Sequence, residues 1–142
     1  MNRAVLLPLL IPALVGVVTL AVLPMLAHGQ GAALAPASYT TTLTPRDVPS
    51  GLIGGWGLTL DTDGRFTTKH NGELVVEGYY TLQADHITFT DERGPRACLG
   101  PTGGSGTYGW ALVAGQLTLV VIEDACPGRA AVLSSQPWAR QD

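Results

Sequence analysis

Residues 54–80 read GGWGLTLDTDGRFTTKHNGELVVEGYY, and their alternation decides the fold. Trp56, Leu58 and Leu60 share one face of an extended segment while Gly57 and Thr59 share the other, the period of two that marks a half-buried strand. Asp61-Thr62-Asp63-Gly64 supplies turn residues and reverses the chain. Phe66 and Thr68 then oppose Arg65, Thr67 and Lys69 in a second strand. Asn71-Gly72 follows, two residues that tolerate the positive φ of a type I′ hairpin. Beyond it Leu74, Val76, Gly78 and Tyr80 are expected inward, against Glu73 and Glu77 outside.

The same rhythm continues downstream. After a turn at residues 83–85, Ile87 and Phe89 face in; past a long loop come Tyr108, Trp110 and Leu112, an Ala114-Gly115 turn, then Leu117, Leu119 and Val121. A last strand is expected at about residues 129–138 and an additional first one at 39–44, ahead of Pro45. Thr44-Pro45-Arg46-Asp47 reads as the N-cap and first turn of a short helix leading into the tryptophan strand. The expectation is an all-β, antiparallel up-and-down barrel of about eight strands, because closure leaves no free sheet edge. No later segment holds a 3.6-residue period, so helix should be scarce.

Of the 142 residues 46% are hydrophobic and 13% charged, and much of that apolar excess sits at the front. Arg3 is the only charge before Arg46, and residues 4–26 form an apolar stretch broken by Pro8, Pro12 and Pro24. Residues 1–29 are read as a signal peptide, with a small-residue Ala27-His28-Gly29 cleavage site, or as an uncleaved membrane anchor. Either way the rest is exported. Losing residues 1–29 removes Arg3 and no acid, leaving 7 basic against 11 acidic residues, a net charge of −4. Such a surface repels phosphate backbones and anionic headgroups, so no nucleic acid partner is expected, and membrane contact only through residues 4–26 if these are retained. Residues 30–49, rich in Ala, Pro and Thr, read as a spacer that contains the possible first strand, and residues 50–142 as the barrel domain.

Cys98 and Cys126 both lie in Gly/Pro-rich loops, and an exported compartment is oxidising, so one disulfide is expected between them. Redox or metal chemistry is disfavoured, since the spacing is far from C-x-x-C and no His is near either thiol in sequence. Phe66, Leu74, Val76, Tyr80, Phe89, Tyr108, Trp110, Leu112 and Leu119 form the expected interior, either lining a ligand pocket or filling the barrel as in the smallest examples. Asp61 and Asp63 sit in a hairpin turn that lacks the rest of a calcium loop. Glu123 and Asp124 at a strand end read as a solvated rim or part of a cation site. Of the domain histidines, His86 falls on the outer face, no nucleophile motif accompanies it or His70, and Gly103-Gly104-Ser105-Gly106 is a loop before a strand, unlike a phosphate loop. No catalysis, metal or cofactor is expected.

A short helical turn, a strand bearing Gly54-Gly55-Trp56, a meander and a terminal Trp138-Ala139-Arg140 together resemble the calycin superfamily, the lipocalins and their small exported bacterial relatives. Asp63-Gly64-Arg65-Phe66, Glu77-Gly78-Tyr79-Tyr80, Gly106-Thr107-Tyr108-Gly109-Trp110 and Asp124-Ala125-Cys126 extend the likeness. The resemblance implies that Gly54, Trp56, Trp138 and Arg140 close one barrel end, with Arg140 across Trp56, and that a small apolar ligand enters the open end. Strands of about 5 to 8 residues and the lack of a flanking helix depart from the vertebrate carriers. The alternative is a protein-binding barrel: inhibitors of secreted metalloproteases share the size, Gly-x-Trp opening and single disulfide, and residues 31–44 would be the arm inserted into the protease. A third reading is a purely structural extracellular module.

Overall fold

A computed structural model describes residues 33–101 and 103–142; the expected signal or anchor segment lies outside the described residues. Among the described residues, eight strands, β1 (Ala37–Leu43), β2 (Gly54–Leu60), β3 (Arg65–His70), β4 (Glu73–Leu82), β5 (His86–Arg93), β6 (Ser105–Val113), β7 (Gln116–Glu123) and β8 (Trp138–Arg140), form a closed antiparallel barrel in sequence order. The meander follows from its turns. Asn71 and Gly72 have φ of 51° and 87°, and Ala114 and Gly115 φ of 50° and 74°, the left-handed pairs that two-residue hairpins require. Asp61 and Gly64 close the β2–β3 turn, with Gly64 N–H donating to Asp61 O at 3.3 Å.

The first strand expected at 39–44, inside the stretch read as a spacer, is present as β1: it pairs with β2 along its whole length and with β8, and Leu34 ahead of it is buried in the core. Thr44 does cap a turn: its Oγ1 accepts from Arg46 N–H while Asp47 Oδ2 accepts from Thr44 N–H, but the turn stops there and only a 3-10 helix, Ser50–Leu52, follows.

The last strand and the facing of Leu74 depart from the sequence expectation. The last strand is not at 129–138; that stretch holds α1 (Pro127–Ser134), and β8 is three residues long. Pro127 at the first helical position, Cys126 as N-cap and an Ala130-Ala131 pair favour helix locally, and Val132 and Leu133 bury its inner face. The barrel therefore does have a flanking helix. Leu74 is the second correction, 46% exposed where Val75 and Val76 are both buried. Thr68 pairs with Val76 and Lys69 with Leu74, so Val75 is an extra residue and the inward phase slips by one below it.

Similar irregularities fall between Glu77 and Gly78 on the β4–β5 ladder and between Thr107 and Tyr108 on β6–β7, making Glu92 and Ile122 the unpaired residues. All three bulges lie at one end of the barrel, which also carries the β1–β2 connection, the β5–β6 loop and α1. At the other end the interior is filled. Phe66, Phe89 and Tyr108 stack edge-to-face with centroids 5.0 and 5.9 Å apart, and Leu58, Leu60, Ile87, Leu117 and Leu119 are fully buried around them.

The bulge makes opposite demands on neighbouring residues. Leu74→Ser should change stability by less than about 0.5 kcal/mol, as at an open surface position. Val75→Ala should cost about 2 kcal/mol by deleting two buried methyls. Urea denaturation of both variants tests the register; a costly Leu74→Ser beside a neutral Val75→Ala would contradict it.

Candidate functional site

Asp91 continues the inward phase of Ile87 and Phe89 along β5, placing a carboxylate inside the barrel; the bulge at Glu92 then turns Arg93 out onto Glu77. On the neighbouring wall Asp124 follows the Ile122 bulge and also turns in, its side chain fully buried. Arg129, in the first turn of α1, lies between them, and its side chain is only 7% exposed. A cation there opposes the helix dipole, so its carboxylate partners must hold it. Arg129 Nε and Nη2 donate to the two oxygens of Asp124 at 2.8 Å each, a bidentate fork. Nη2 and Nη1 also donate to Gly103 O and Gly104 O at 3.0 Å each. The Gly103-Gly104 loop is thus wrapped round a guanidinium. Its glycines allow that approach, since a Cβ on Gly106 would lie 3.1 Å from Arg129 Nε and one on Gly103 2.6 Å from the Cys98 carbonyl carbon.

Tyr108 Oη and Cys126 N–H also donate to Asp124. Burial alone would raise the Asp124 pKa, but the bonds from Arg129, Tyr108 and Cys126 outweigh it and hold the carboxyl below its ordinary range. Tyr108 is pushed up, first by burial and then by its bond to that carboxylate. The solvated rim expected of Asp124 is instead a buried network, in which the inward-phase tyrosine is a donor within the core.

Asp91 is satisfied on one side only. Its Oδ2 accepts from Cys98 N–H at 2.7 Å. Its Oδ1 is 3.2 Å from Arg129 Nη1, an ion-pair distance, but lies off the N–H direction and accepts no hydrogen bond. Thr68 Oγ1, equally buried, is without a partner among the described residues.

Both residues line a cavity of about 400 Å³ at the bulged end. Its walls are Trp56, Phe66 and Val76 from the strands, Leu52 from the 3-10 turn, residues 95–98 from the β5–β6 loop, and Gly128, Arg129, Val132 and Leu133 from α1. Cys98 and Cys126 are disulfide-bonded with Cα atoms 6.2 Å apart, tying that loop to the start of α1.

Of the expected interior set, Phe66 and Val76 reach this cavity. Phe89, Tyr108 and Leu119 fill the core, Tyr80 is buried with its hydroxyl donating to Asp61 O at 2.7 Å, Trp110 and Leu112 are half-buried, and Leu74 faces solvent. Trp56 stacks on His70 with centroids 4.3 Å apart, and the cation over it is Arg96, with Cζ 6.0 Å from the ring centroid. Arg140 is exposed and pairs with Tyr39, beyond the level of Trp56, because β8 runs towards the opposite end while the β5–β6 loop lies above the indole. Trp138 is fully buried and donates to Leu133 O at 3.1 Å, so it supports α1 from within. Gly54, at φ 129°, leaves room for the Asn71 side chain, which accepts from Gly55 N–H at 3.0 Å. Sequence reading missed Thr68, Asp91, Arg96 and Arg129. An acid in the inward phase of β5 was the available signal.

Arg129→Met should destabilise by about 3–5 kcal/mol, because it leaves two buried carboxylates unpaired. A loss under 1 kcal/mol in urea denaturation would contradict the network. For Asp124 the folded pKa lies below the unfolded value of about 3.9, so its stabilisation is present above that value and is lost as pH falls through the folded pKa. The urea midpoint should therefore drop below about pH 4, and Asp124→Asn should flatten that decline.

The chain matches no protein-family model, and neither the curated proteins nor the solved structures include one with significant similarity to it.

Proposed function

We propose that this chain is an exported, non-catalytic barrel of lipocalin-like type that binds a small, largely apolar molecule beneath α1. The observation that carries the reading is the 400 Å³ cavity, which falls in the range of small-ligand sites and joins apolar walls to a few polar groups. The ligand end is then the one bearing Trp56, in place of the opposite, hairpin end. The disulfide supports an oxidising compartment, and among the described residues no helix is long and apolar enough to cross a membrane. The histidines favour a non-catalytic role. His70 Nε2 lies 2.9 Å from Ile53 O with its ring stacked on Trp56, and His86 pairs with Asp85 on the outside.

Gly128 offers a direct test. It lines the cavity and a Cβ there meets nothing within 4 Å, so a larger side chain can be placed at the cavity wall without displacing backbone. N-phenyl-1-naphthylamine, a neutral apolar fluorophore, should bind the wild type saturably at one per chain with a Kd of about 1–10 μM, equivalent to roughly 7–8 kcal/mol. Gly128→Leu should keep or raise Tm while weakening the probe at least about tenfold. Absence of saturable binding, or equal binding by Gly128→Leu, would remove the carrier reading.

A further inference from the structure

We infer that the ligand of this cavity carries its polar end as a hydrogen-bond donor with positive charge, an organic ammonium on an apolar body, and that Asp91 and Thr68 receive it. The inference rests on the carrier reading above and adds the chemistry of the head group. Four charges bear on it. Arg129 is one buried cation facing two buried carboxylates, Asp91 and Asp124, so the inner cluster has a net charge of −1. The fourth, Arg96, stands at the mouth over Trp56 and is exposed, so solvent and salt screen it.

Arg129 would be the natural anchor for a fatty acid carboxylate, but its N–H groups are committed. Four hydrogen bonds go to Asp124, Gly103 and Gly104, and the Nη1 nitrogen also stands 3.2 Å from Asp91 Oδ1 as an ion pair. A carboxylate head would displace those bonds and sit beside two like charges. The buried groups lining the cavity with hydrogen-bonding capacity to spare are Asp91 Oδ1, which accepts no hydrogen bond although Arg129 Nη1 stands 3.2 Å away, and Thr68 Oγ1, a hydroxyl able to accept or donate; the exposed Arg96 guanidinium borders the same cavity. A buried acceptor without a donor is costly, and a carboxylate oxygen more so than a hydroxyl. An ammonium brings three donors and the one charge that neutralises the cluster. A neutral hydroxyl supplies a donor but leaves the charge unbalanced. Asp91 on β5 and Thr68 on β3, one strand apart across β4, both line the cavity, so a head group inside it has both within the same wall. The apolar body then lies along Trp56, Phe66 and Val132.

The test displaces N-phenyl-1-naphthylamine from the full exported domain with octylamine, octanol and octanoate, which share one apolar body. Octylamine should displace at concentrations about ten- to a hundredfold lower than octanoate, with octanol between them. Asp91→Asn should abolish the advantage of the amine over the alcohol. Thr68→Val, which keeps the side-chain shape and suits a strand, should weaken amine and alcohol alike by several-fold. Octanoate binding as tightly as octylamine in the wild type overturns the head-group inference while probe binding leaves the carrier reading intact. Failure of the probe itself overturns both. The wild-type series needs no variant, so the comparison of the three head groups stands even where Asp91→Asn is unstable.

Discussion

The guanidinium of Arg129 is the constraint on which the working end of this barrel depends. It joins the end of β7 through Asp124, the wall of β5 through Asp91, the β5–β6 loop through Gly103 and Gly104, and the helix it belongs to. Two of these are separately unfavourable: a cation at a helix N-terminus and carboxylates inside a barrel. Together they satisfy one another. The disulfide from Cys98 to Cys126 repeats the connection covalently, since the same loop and the same helix start are its two ends. An electrostatic and a covalent tie therefore hold one joint, and the cavity lies directly inside it.

The bulges explain how charged groups come to point inward in so small a barrel. A strict alternation would have carried Arg93 inside after Asp91, and the extra residue at Glu92 sends it out to Glu77 instead. Val75 frees its carbonyl to accept from Arg96 N–H at 3.1 Å, seating the loop that covers Trp56. Ile122 shifts the phase so that Asp124 turns in and Glu123 out. Bulges at a barrel rim re-aim side chains at the cost of ladder pairing, and three of them at one end mark that end as specialised.

The strands, their order and their hairpins were legible because each depends on local chemistry: alternation for Trp56–Leu58–Leu60 and Ile87–Phe89, positive φ for Asn71-Gly72 and Ala114-Gly115. The disulfide was legible from compartment and loop placement. The site was not. A bulge has no compositional mark strong enough to override alternation, which puts Leu74 inside and Asp124 outside. Arg140 and Arg96 compete for the same indole, and which one wins depends on how the β5–β6 loop folds back, a non-local fact that spacing does not carry. The strand expected at 129–138 fails for a different reason, since the Pro127 helix-start signal is present and the rhythm before it outweighs it.

That helix also accounts for the cavity's existence. A barrel of eight short strands ordinarily has an interior just wide enough for its own side chains. Here β8 pairs with β7 only at Gln116 and Leu117 and with β1 only at Tyr39 and Thr40, so the wall is complete at the hairpin end and open beyond it. α1 packs on β7 at that end and buries Val132 and Leu133 into the core beyond the short β8. A helix is about 10 Å across and strands are about 4.8 Å apart, so a helix packed at this end holds its surroundings farther apart than a further strand would, while the other end stays filled. The same geometry explains why Trp138 is the most deeply placed tryptophan. It stands at the point where β8 stops and the helix takes over, with its indole N–H bonded to the helix carbonyl of Leu133, so the change from strand wall to helix wall is itself held by a buried hydrogen bond.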